Sequence, residues 1–276
     1  MVIADAQVHI WAASTPARPW PAKHNAPDRE VPFSKDDLLR DMDATSVHRA
    51  VIVPPSWEGE RNDLGLQAAS LHPDRLAVMG RLDINATDAR SRIATWREQP
   101  GMLGLRLTFR SQAVPASDNW LWVEAETAGV PIMVGIYGAY AAQMRAVEQA
   151  ALRHPALKLV ICHLGIQTGK QDNEAFADLD NVLTLAKLSN VAVNATSLPS
   201  YTTDSYPYSR LHPHIRRIYD AFGPKRMFWG TDRTRLRCSY RQAVTMFTEE
   251  IPWLSADDKV WIMGRGLCEW LGWELL

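Results

Sequence analysis

The segment Arg226-Met227-Phe228-Trp229-Gly230-Thr231-Asp232 places an aspartate just after an apolar run. The run from Met227 to Trp229 predicts a buried strand, and Gly230 predicts its end. A carboxylate at the end of an apolar strand is costly to bury unless it ligates a metal, accepts hydrogen bonds or handles protons. A single aspartate of this kind is more often a helix N-cap or part of a structural ion pair. Its interpretation therefore depends on what the other strands bring to the same place.

Seven further apolar runs precede this strand, and segments with helical periodicity separate them, such as residues 174–188, which predict one continuous helix. The eight predicted strands are Val2–His9, Ala50–Val53, Leu76–Leu82, Met102–Leu107, Pro131–Ile136, Leu157–His163, Val191–Asn194 and Arg226–Gly230. Near-continuous apolar strands that alternate with helices are typical of a parallel sheet buried on both faces. Eight such units in 276 residues predict an α/β fold, a (β/α)8 TIM barrel, as one domain over residues 1–276. An open doubly wound sheet is the alternative, disfavoured because no Gly-rich phosphate loop follows any strand.

The composition argues against several classes of partner. The formal net charge is -1, so no whole-chain field attracts nucleic acid or an anionic membrane. No apolar run reaches the roughly 20 residues that span a bilayer. The N-terminus becomes acidic at Asp5, unlike a signal peptide, and three scattered cysteines suit a reducing compartment. We therefore expect a cytoplasmic protein, and a homo-oligomer is compatible with the sequence.

Polar side chains collect at the predicted C-terminal ends of the strands, where barrels of this kind build their sites. These residues are Gln7, His9, Arg81, Arg106, Arg110, Tyr137, His163, Asn194 and Asp232. In the first strand, alternation predicts that Asp5, Gln7 and His9 share one face. Histidines and a carboxylate from three separate strands predict one common site.

The arginines indicate the kind of substrate. Guanidinium groups pair bidentately with carboxylates, so a mouth rich in arginine fits a small anionic acid or lactone acid. We expect Arg106, Arg110 and Arg233 to bind substrate, and Tyr137 to donate a hydrogen bond to it. Further arginine candidates near the mouth are Arg81, Arg235 and Arg237.

Three motifs carry a family resemblance. Asp5-Ala6-Gln7-Val8-His9-Ile10-Trp11, Cys162-His163-Leu164-Gly165 and Trp229-Gly230-Thr231-Asp232 resemble signatures of the amidohydrolase-related (amidohydrolase-2) family. They occur in the family's order and span nearly the whole chain. The family includes lactonases and non-oxidative decarboxylases. The resemblance implies a (β/α)8 barrel, a divalent metal site and a strand-8 Asp that acts as general base.

One position departs from the family pattern, because Gln7 stands where the first His of the H-x-H pair is usual. A neutral amide oxygen is a weaker ligand than imidazole for zinc and other late transition metals. Gln7, His9, His163 and Asp232 are then expected to hold at most one divalent metal, Zn or Mn, and a metal-free site is the alternative. A binuclear site with a bridging carboxylated lysine is not expected, since strands 4 and 5 end without lysine.

The resemblance and the arginines together predict a hydrolase that opens a small carboxylate-bearing lactone or similar carbonyl compound. Asp232 and His163 are the expected catalytic residues: Asp232 would activate water. His163 and His9 would position metal or polarise the carbonyl. A metal-dependent non-oxidative decarboxylase of the same family is the first alternative, and a ligand-binding barrel without catalysis is the second.

Two other histidine-containing segments invite comment. Residues 12–33 form a long Pro-rich segment after the first strand, where a lid would lie, and His24 within it could reach the mouth. His212-Pro213-His214 has H-x-H spacing, but it precedes a helix rather than ending a strand. We therefore expect His212 and His214 to be structural or surface residues.

Overall fold

The computed structural model describes residues 1–23, 26–110, 113–138, 140–167 and 169–274. Its eight strands form one parallel sheet in which each strand pairs with the next along the chain. The strands are β1 (Ala4–Val8), β2 (Arg49–Ile52), β3 (Leu76–Gly80), β4 (Met102–Phe109), β5 (Ile132–Ile136), β6 (Leu159–Ile161), β7 (Val191–Ala195) and β8 (Met227–Trp229). The backbone N–H of Asp232 donates to the carbonyl of Gln7 at 2.9 Å, which brings the last strand back to the first. The predicted (β/α)8 barrel is confirmed, since an open doubly wound sheet would change strand order at a switch point.

Helices follow the strands around the outside. They are α1 (Lys35–Thr45), α2 (Asp63–Leu71), α3 (Ala89–Ala94), α4 (Trp120–Thr127), α5 (Tyr140–Arg153), α6 (Asp172–Ala175), α7 (Leu179–Leu183), α8 (His212–Phe222), α9 (Tyr240–Thr248), α10 (Ala256–Val260) and α11 (Gly266–Leu271). Serine N-caps with capping boxes start α1, α9 and α10, which satisfies backbone donors at their first turns. Among the described residues, no helix is both long and apolar enough to cross a membrane.

The side chains of strand β1 do not alternate regularly between the two faces of the sheet. Its pairing with β2 shifts register between Asp5 and Val8, as a β-bulge does. Ala4 and Ala6 pack inside the barrel, while Gln7 faces the cavity at the C-terminal ends of the strands. The prediction that Asp5 shares a face with Gln7 and His9 is therefore wrong, because the bulge turns the chain between them.

The carboxylate of Asp5 lies in the seam between the first and last strands, fully buried. It accepts hydrogen bonds from the backbone N–H groups of Gln7 and Thr231, and from the hydroxyls of Thr231 and Tyr240. Burial raises the pKa of Asp5 to about 6, against the lowering effect of these donors. The side chain thus joins the two edges of the barrel through four donors.

The N-terminal end of the barrel is closed by apolar side chains. Leu267, Cys268 and Leu271 of α11 pack against the inward-facing residues of the strands, such as Phe228. The C-terminal segment is held there by a hydrogen bond from Arg49 Nη1 to the carbonyl of Glu274, 2.6 Å long. Apolar packing therefore fills the barrel at this end.

Two predicted elements differ from the structure. The predicted helix over residues 174–188 is broken into α6, α7 and a 3-10 turn at Thr184–Lys187. Asp178 lies at the break, where its carboxylate accepts from Gln167 and its carbonyl from the Asn181 side chain, bonds that compete with a continuous helix. The strand predicted to reach His163 ends at Ile161, because a tight turn at Cys162–Gly165 follows it.

Candidate active site

A cavity of about 340 Å³ opens at the C-terminal ends of the strands. It is lined by Gln7, His9, Ala26, Asp28, Val53, Pro54, Ser56, Trp57, Arg81, Arg106, Thr108, Arg110, Tyr137, His163 and Arg235. A neighbouring cavity of about 540 Å³ shares Asp28 and Arg235 with it. The chemistry expected from the sequence converges on the first of these, which we call the rim cavity.

His9 and Asp232 form a buried pair beside the rim cavity. Nε2 of His9 lies 3.0 Å from Oδ1 of Asp232, and Nδ1 of His9 lies 2.6 Å from the carbonyl of Val53. A carbonyl only accepts, so Nδ1 carries a proton and Nε2 faces the carboxylate. Burial disfavours a charged His9, but Asp232 outweighs it and the pKa of His9 is raised. Burial likewise opposes ionisation of Asp232, but His9, with His163 and Arg235, holds its pKa well below the usual range.

His163 is held in one orientation by two neighbours. Its Nδ1 lies 2.6 Å from the hydroxyl of Thr196, which donates to Oδ1 of Asn194 at 3.0 Å. Thr196 therefore accepts from Nδ1–H, and the lone pair of Nε2 points to Gln7 and Asp232. Burial, helped by the positive charge of Arg106, lowers the pKa of His163 to about 3. This histidine is neutral, and it offers a lone pair rather than a proton.

The backbone at this rim is strained. His163, Ser197 and Asp232 have φ values of 54°, 60° and 54°, the left-handed region that non-glycine residues rarely adopt. Such conformations cost about 1–3 kcal/mol each and cluster at functional sites. Three of them follow three neighbouring strands, and they turn the side chains of His163 and Asp232 toward each other: Nε2 of His163 lies 4.0 Å from Oδ2 of Asp232.

Several buried polar atoms around the pair have no hydrogen-bonding partner among the described residues. They include Oε1 of Gln7 and Oδ1 of Asp232, whose contact with His9 is close but not in hydrogen-bond geometry. Unpaired acceptors in buried positions cost free energy unless a cation or a ligand satisfies them. These two oxygens and the lone pair of His163 are donors of the type that bind a divalent metal. The predicted ligand types therefore fit such an ion.

Three arginines of β3, β4 and the residues that follow these strands also line the rim cavity: Arg81, Arg106 and Arg110, which we call the arginine wall. Arg106 is buried on β4, and its Nη1 donates to its neighbour's carbonyl, that of Leu107, at 2.6 Å, while its Nε is unpartnered. Gly135 on β5 makes room for it, since a Cβ there would lie 2.4 Å from Arg106 Nη1. Arg81 pairs with Glu60 at 3.1 Å, and Arg110 stacks over the Tyr137 ring at 4.0 Å.

Arg233 is not brought to the rim cavity. Its guanidinium pairs with Asp41 of α1 at 2.7 Å and lies over the ring of Tyr240. Because Asp232 has a left-handed backbone conformation, Arg233 points away from the rim cavity. Arg233 is therefore next to Asp232 in sequence but does not reach the site. The predicted substrate-binding role of Arg233 has no support from this placement.

Other histidines stay outside the site. His24, suggested as a lid residue, lies outside the described residues. His214 stacks on Phe176 at 3.9 Å between ring centroids, and His212 begins α8, as expected of structural residues.

Two contacting residues were not anticipated from the sequence. Ser197 donates from its hydroxyl to Oδ2 of Asp232 at 3.0 Å. Asp28, from the long segment 12–33, reaches the pair of His9 and Asp232. Ser197 follows β7 but has no charge or ring that would indicate a site, and Asp28 lies in a segment without periodicity.

The sequence profile of the amidohydrolase family matches residues 4–265. The chain belongs to the amidohydrolase family. This amidohydrolase is 27% identical over 237 residues to the L-fucono-1,5-lactonase of Burkholderia ambifaria, a match that covers 83% of this chain and 79% of that protein. Family and relative together make it an enzyme of the hydrolase type.

Solved structures resemble the amidohydrolase over nearly its full length. An amidohydrolase from Burkholderia multivorans with bound zinc has a TM-score of 0.80 at 20% identity and covers 99% of both chains. A probable 2-pyrone-4,6-dicarboxylic acid hydrolase from Acinetobacter baumannii, with citric acid bound, has a TM-score of 0.79 at 17% identity, covering 99% of this chain and 100% of its own. A 5-carboxyvanillate decarboxylase from Sphingomonas paucimobilis has a TM-score of 0.70 at 15% identity, covering 98% and 99%. At these identities, the likeness establishes the fold alone.

Proposed function

We propose that this amidohydrolase opens a small lactone that carries a carboxylate. The observation that carries the proposal is Arg106, a buried guanidinium that faces the rim cavity and forms no ion pair with a carboxylate among the described residues. A buried charge without a partner is costly, so a site that retains one is suited to an anionic ligand. The lactonase relative supports ring opening of a lactone, and the arginine wall supports the added carboxylate.

The two walls of the rim cavity differ in charge, which orients such a substrate. Arg81, Arg106 and Arg110 belong to or follow β3 and β4, whereas His9, His163 and the neighbouring Asp232 follow β1, β6 and β8. The substrate carboxylate binds to the arginines, because a guanidinium and a carboxylate pair in a planar, bidentate geometry. The lactone carbonyl then points toward Asp232.

In the proposed reaction, the carboxylate of Asp232 accepts a proton from water, and the water oxygen attacks the lactone carbonyl carbon. The charge that develops on the carbonyl oxygen is stabilised by the hydroxyl of Tyr137, which lines the same cavity. The bond between the carbonyl carbon and the ring oxygen then breaks, and the ring oxygen takes up the proton that Asp232 accepted, which leaves a hydroxyl and restores the Asp232 carboxylate. His163 does not polarise the carbonyl, because its pocket-facing Nε2 has no proton to donate.

The low pKa of Asp232 bears on this role. An Asp232 that is ionised throughout the working pH range is in the state that accepts a proton, but it is a weak base. The proton transfer therefore needs water made more acidic by nearby positive charge. Gln7, His9, His163 and Asp232 would hold a divalent metal, which when bound supplies Lewis-acid polarisation.

The proposal is tested with two lactones that differ in one substituent, one carrying a carboxylate and one a neutral sugar lactone. The wild-type enzyme should open the carboxylate-bearing lactone with the higher kcat/KM, and Arg106→Met should lower that value about 10- to 100-fold, the effect of a charged hydrogen bond of about 1.5–3 kcal/mol. The neutral lactone should be opened by both enzymes at similar rates. Arg265→Met, on an exposed arginine paired with Glu269, serves as the matched control.

Different outcomes would contradict different parts of the proposal. Preference for the neutral lactone, with no effect of Arg106→Met, would remove the carboxylate from the substrate class. Release of CO2 from aromatic acids, with no opening of either lactone, would indicate decarboxylation instead. The arginine wall alone does not separate these chemistries, since both kinds of substrate carry carboxylates.

A further inference from the structure

The long segment between β1 and α1 turns into the site at Asp28. The side chain of Asp28 is only 12% exposed, although the residues of this segment on either side of it are largely at the surface. Its Oδ2 accepts a hydrogen bond from the hydroxyl of Thr234 at 2.8 Å, and Nε of Arg235 lies 3.6 Å from its Oδ1. The carboxylate is therefore positioned from two sides rather than free in solvent.

Asp28 lies close enough to the buried pair to share an ion with it. One ligand atom from each of His9, Asp28 and Asp232 can be chosen so that all lie within 4.8 Å of one another. Two ligands that are each about 2.0–2.2 Å from one zinc ion are at most about 4.4 Å apart, so the three groups need to approach by only a few tenths of an ångström. Oδ1 of Asp232 is fully buried and, apart from its close contact with Nε2 of His9, has no hydrogen-bonding partner in the part of the chain that the structure describes.

The positive charge near the carboxylates of Asp28 and Asp232 does not satisfy them, so a metal ion could bind there. Arg235 is the arginine nearest to both, with Nη1 3.8 Å from Oδ2 of Asp232. Both distances to Arg235 are too long for good hydrogen bonds, so the guanidinium screens the carboxylates without satisfying them. Two carboxylates and one imidazole form an oxygen-rich donor set suited to a divalent cation.

We infer that Asp28 is a ligand of a divalent cation, together with His9 and Asp232, and that it compensates for the glutamine at position 7. The amide Nε2 of Gln7 lies 3.4 Å from Nε2 of His163, so this side chain is engaged with His163 in a contact that a carboxylate could not replace. A second carboxylate supplies a stronger donor for the cation than the neutral amide of Gln7.

The experiment measures metal binding and does not depend on any substrate. Protein stripped with a chelator is titrated with Zn²⁺ and with Mn²⁺ by calorimetry, and thermal unfolding is followed with and without each ion. The wild type should bind one equivalent and unfold at a higher temperature with the ion, because ligands of the folded state stabilise it. Asp28→Asn should weaken binding about 100-fold and lose most of the metal-dependent rise in Tm.

Two further variants separate a ligand from a merely structural contact. Thr234→Val removes the hydrogen bond to Asp28 but keeps the carboxylate, so it should retain metal affinity within a few-fold. Glu30→Gln, at an exposed acid of the same segment, should have no effect. Equal losses of metal affinity in Asp28→Asn and Thr234→Val would overturn the inference. Asp28 would then have only a structural role, through its hydrogen bond with Thr234.

Failure of this inference is distinguishable from failure of the proposed function. If the wild type binds neither ion, or if Asp28→Asn binds as tightly as the wild type, Asp28 is not a ligand. Lactone opening measured on the same stripped samples reports separately on the reaction, which can persist in either case.

Discussion

The two ends of the same eight strands are built on opposite principles. At the N-terminal end, Leu267 and Leu271 fill the barrel with apolar side chains that are at most 1% exposed. At the C-terminal end, His163 and Asp232 have left-handed backbone conformations, and buried polar atoms such as Oε1 of Gln7 lack partners. The N-terminal end is closely packed with apolar side chains, whereas the C-terminal end contains buried polar groups without partners among the described residues.

This difference shows where the barrel obtains its stability and where it gives some up. Close packing of apolar groups stabilises the fold without directing any chemistry. Strained backbone and unpaired charge destabilise it, and they persist only where the rest of the structure holds them in place. Substitutions at the N-terminal end should therefore change the free energy of unfolding, and substitutions at the C-terminal end should change kcat.

The largest expected effect is that of Asp232→Asn on turnover. The amide cannot accept the proton from water, so kcat should fall about 10²- to 10⁴-fold, the usual contribution of a general base. The circular dichroism spectrum should be unchanged, because no apolar packing is lost. Asp220→Asn, at an exposed helix residue paired with Arg216, is the control. Turnover close to that of the wild type would deny Asp232 its role.

Leu271→Ala, at the apolar N-terminal end of the barrel, should lower the stability of the fold and leave turnover unchanged. Deleting a buried leucine leaves a cavity, so the free energy of unfolding should fall by about 2–5 kcal/mol. The variant should keep the kcat of the wild type, because the change is at the far end of the strands. Urea denaturation and steady-state kinetics measure the two quantities. Leu71→Ala, at a 58% exposed leucine, should change neither noticeably. Loss of kcat in Leu271→Ala at full folding would show that the ends are coupled.

The smallest effect is expected at Asp5, in the seam between β1 and β8. Burial raises its pKa to about 6, so between about pH 4 and pH 6 the folded state keeps a proton that the unfolded state has lost. The stability that Asp5 contributes is then complete below about pH 4 and declines as the pH rises through about 6. Measured against Asp5→Asn, the free energy of unfolding should decline by on the order of 2–3 kcal/mol from pH 4 to pH 7.

Urea denaturation of the wild type and of Asp5→Asn at several pH values gives the difference in their free energies of unfolding. Asp36→Asn, at an exposed acid of α1, should show no such trend with pH. A difference that grows with pH would mean that the four donors around Asp5 lower its pKa more than burial raises it. The result therefore decides between two opposing electrostatic effects at one carboxylate.

Much of the barrel was predictable because each of its units is local. An apolar run followed by a helical segment reports its own secondary structure, and eight repeats leave few ways to bury the strands. His9, His163 and Asp232 were predictable for a related reason, since parallel strands place their C-terminal ends on one edge. The break in the helix predicted over residues 174–188 was not, because local side-chain bonds at Asp178 override the periodicity.

The parts of the site that come from loops escaped prediction. Asp28 lies in a segment without periodicity, and Ser197 follows a strand without any charge or ring to attract notice. Arg233 was selected for its closeness to Asp232 in sequence, yet the left-handed turn at Asp232 sends it to Asp41. A loop residue has no strand or helix period to fix its direction, so its position depends on what it packs against.

The sequence by itself determined the barrel, the family, and the convergence of residues 9, 163 and 232, because these follow from the order and polarity of short segments. Only the tertiary structure decided the bulge that separates Asp5 from Gln7, the proton position on His163, and the approach of Asp28 to the buried pair. These features depend on distances between groups far apart in the chain, where a shift of an ångström decides whether two polar atoms meet.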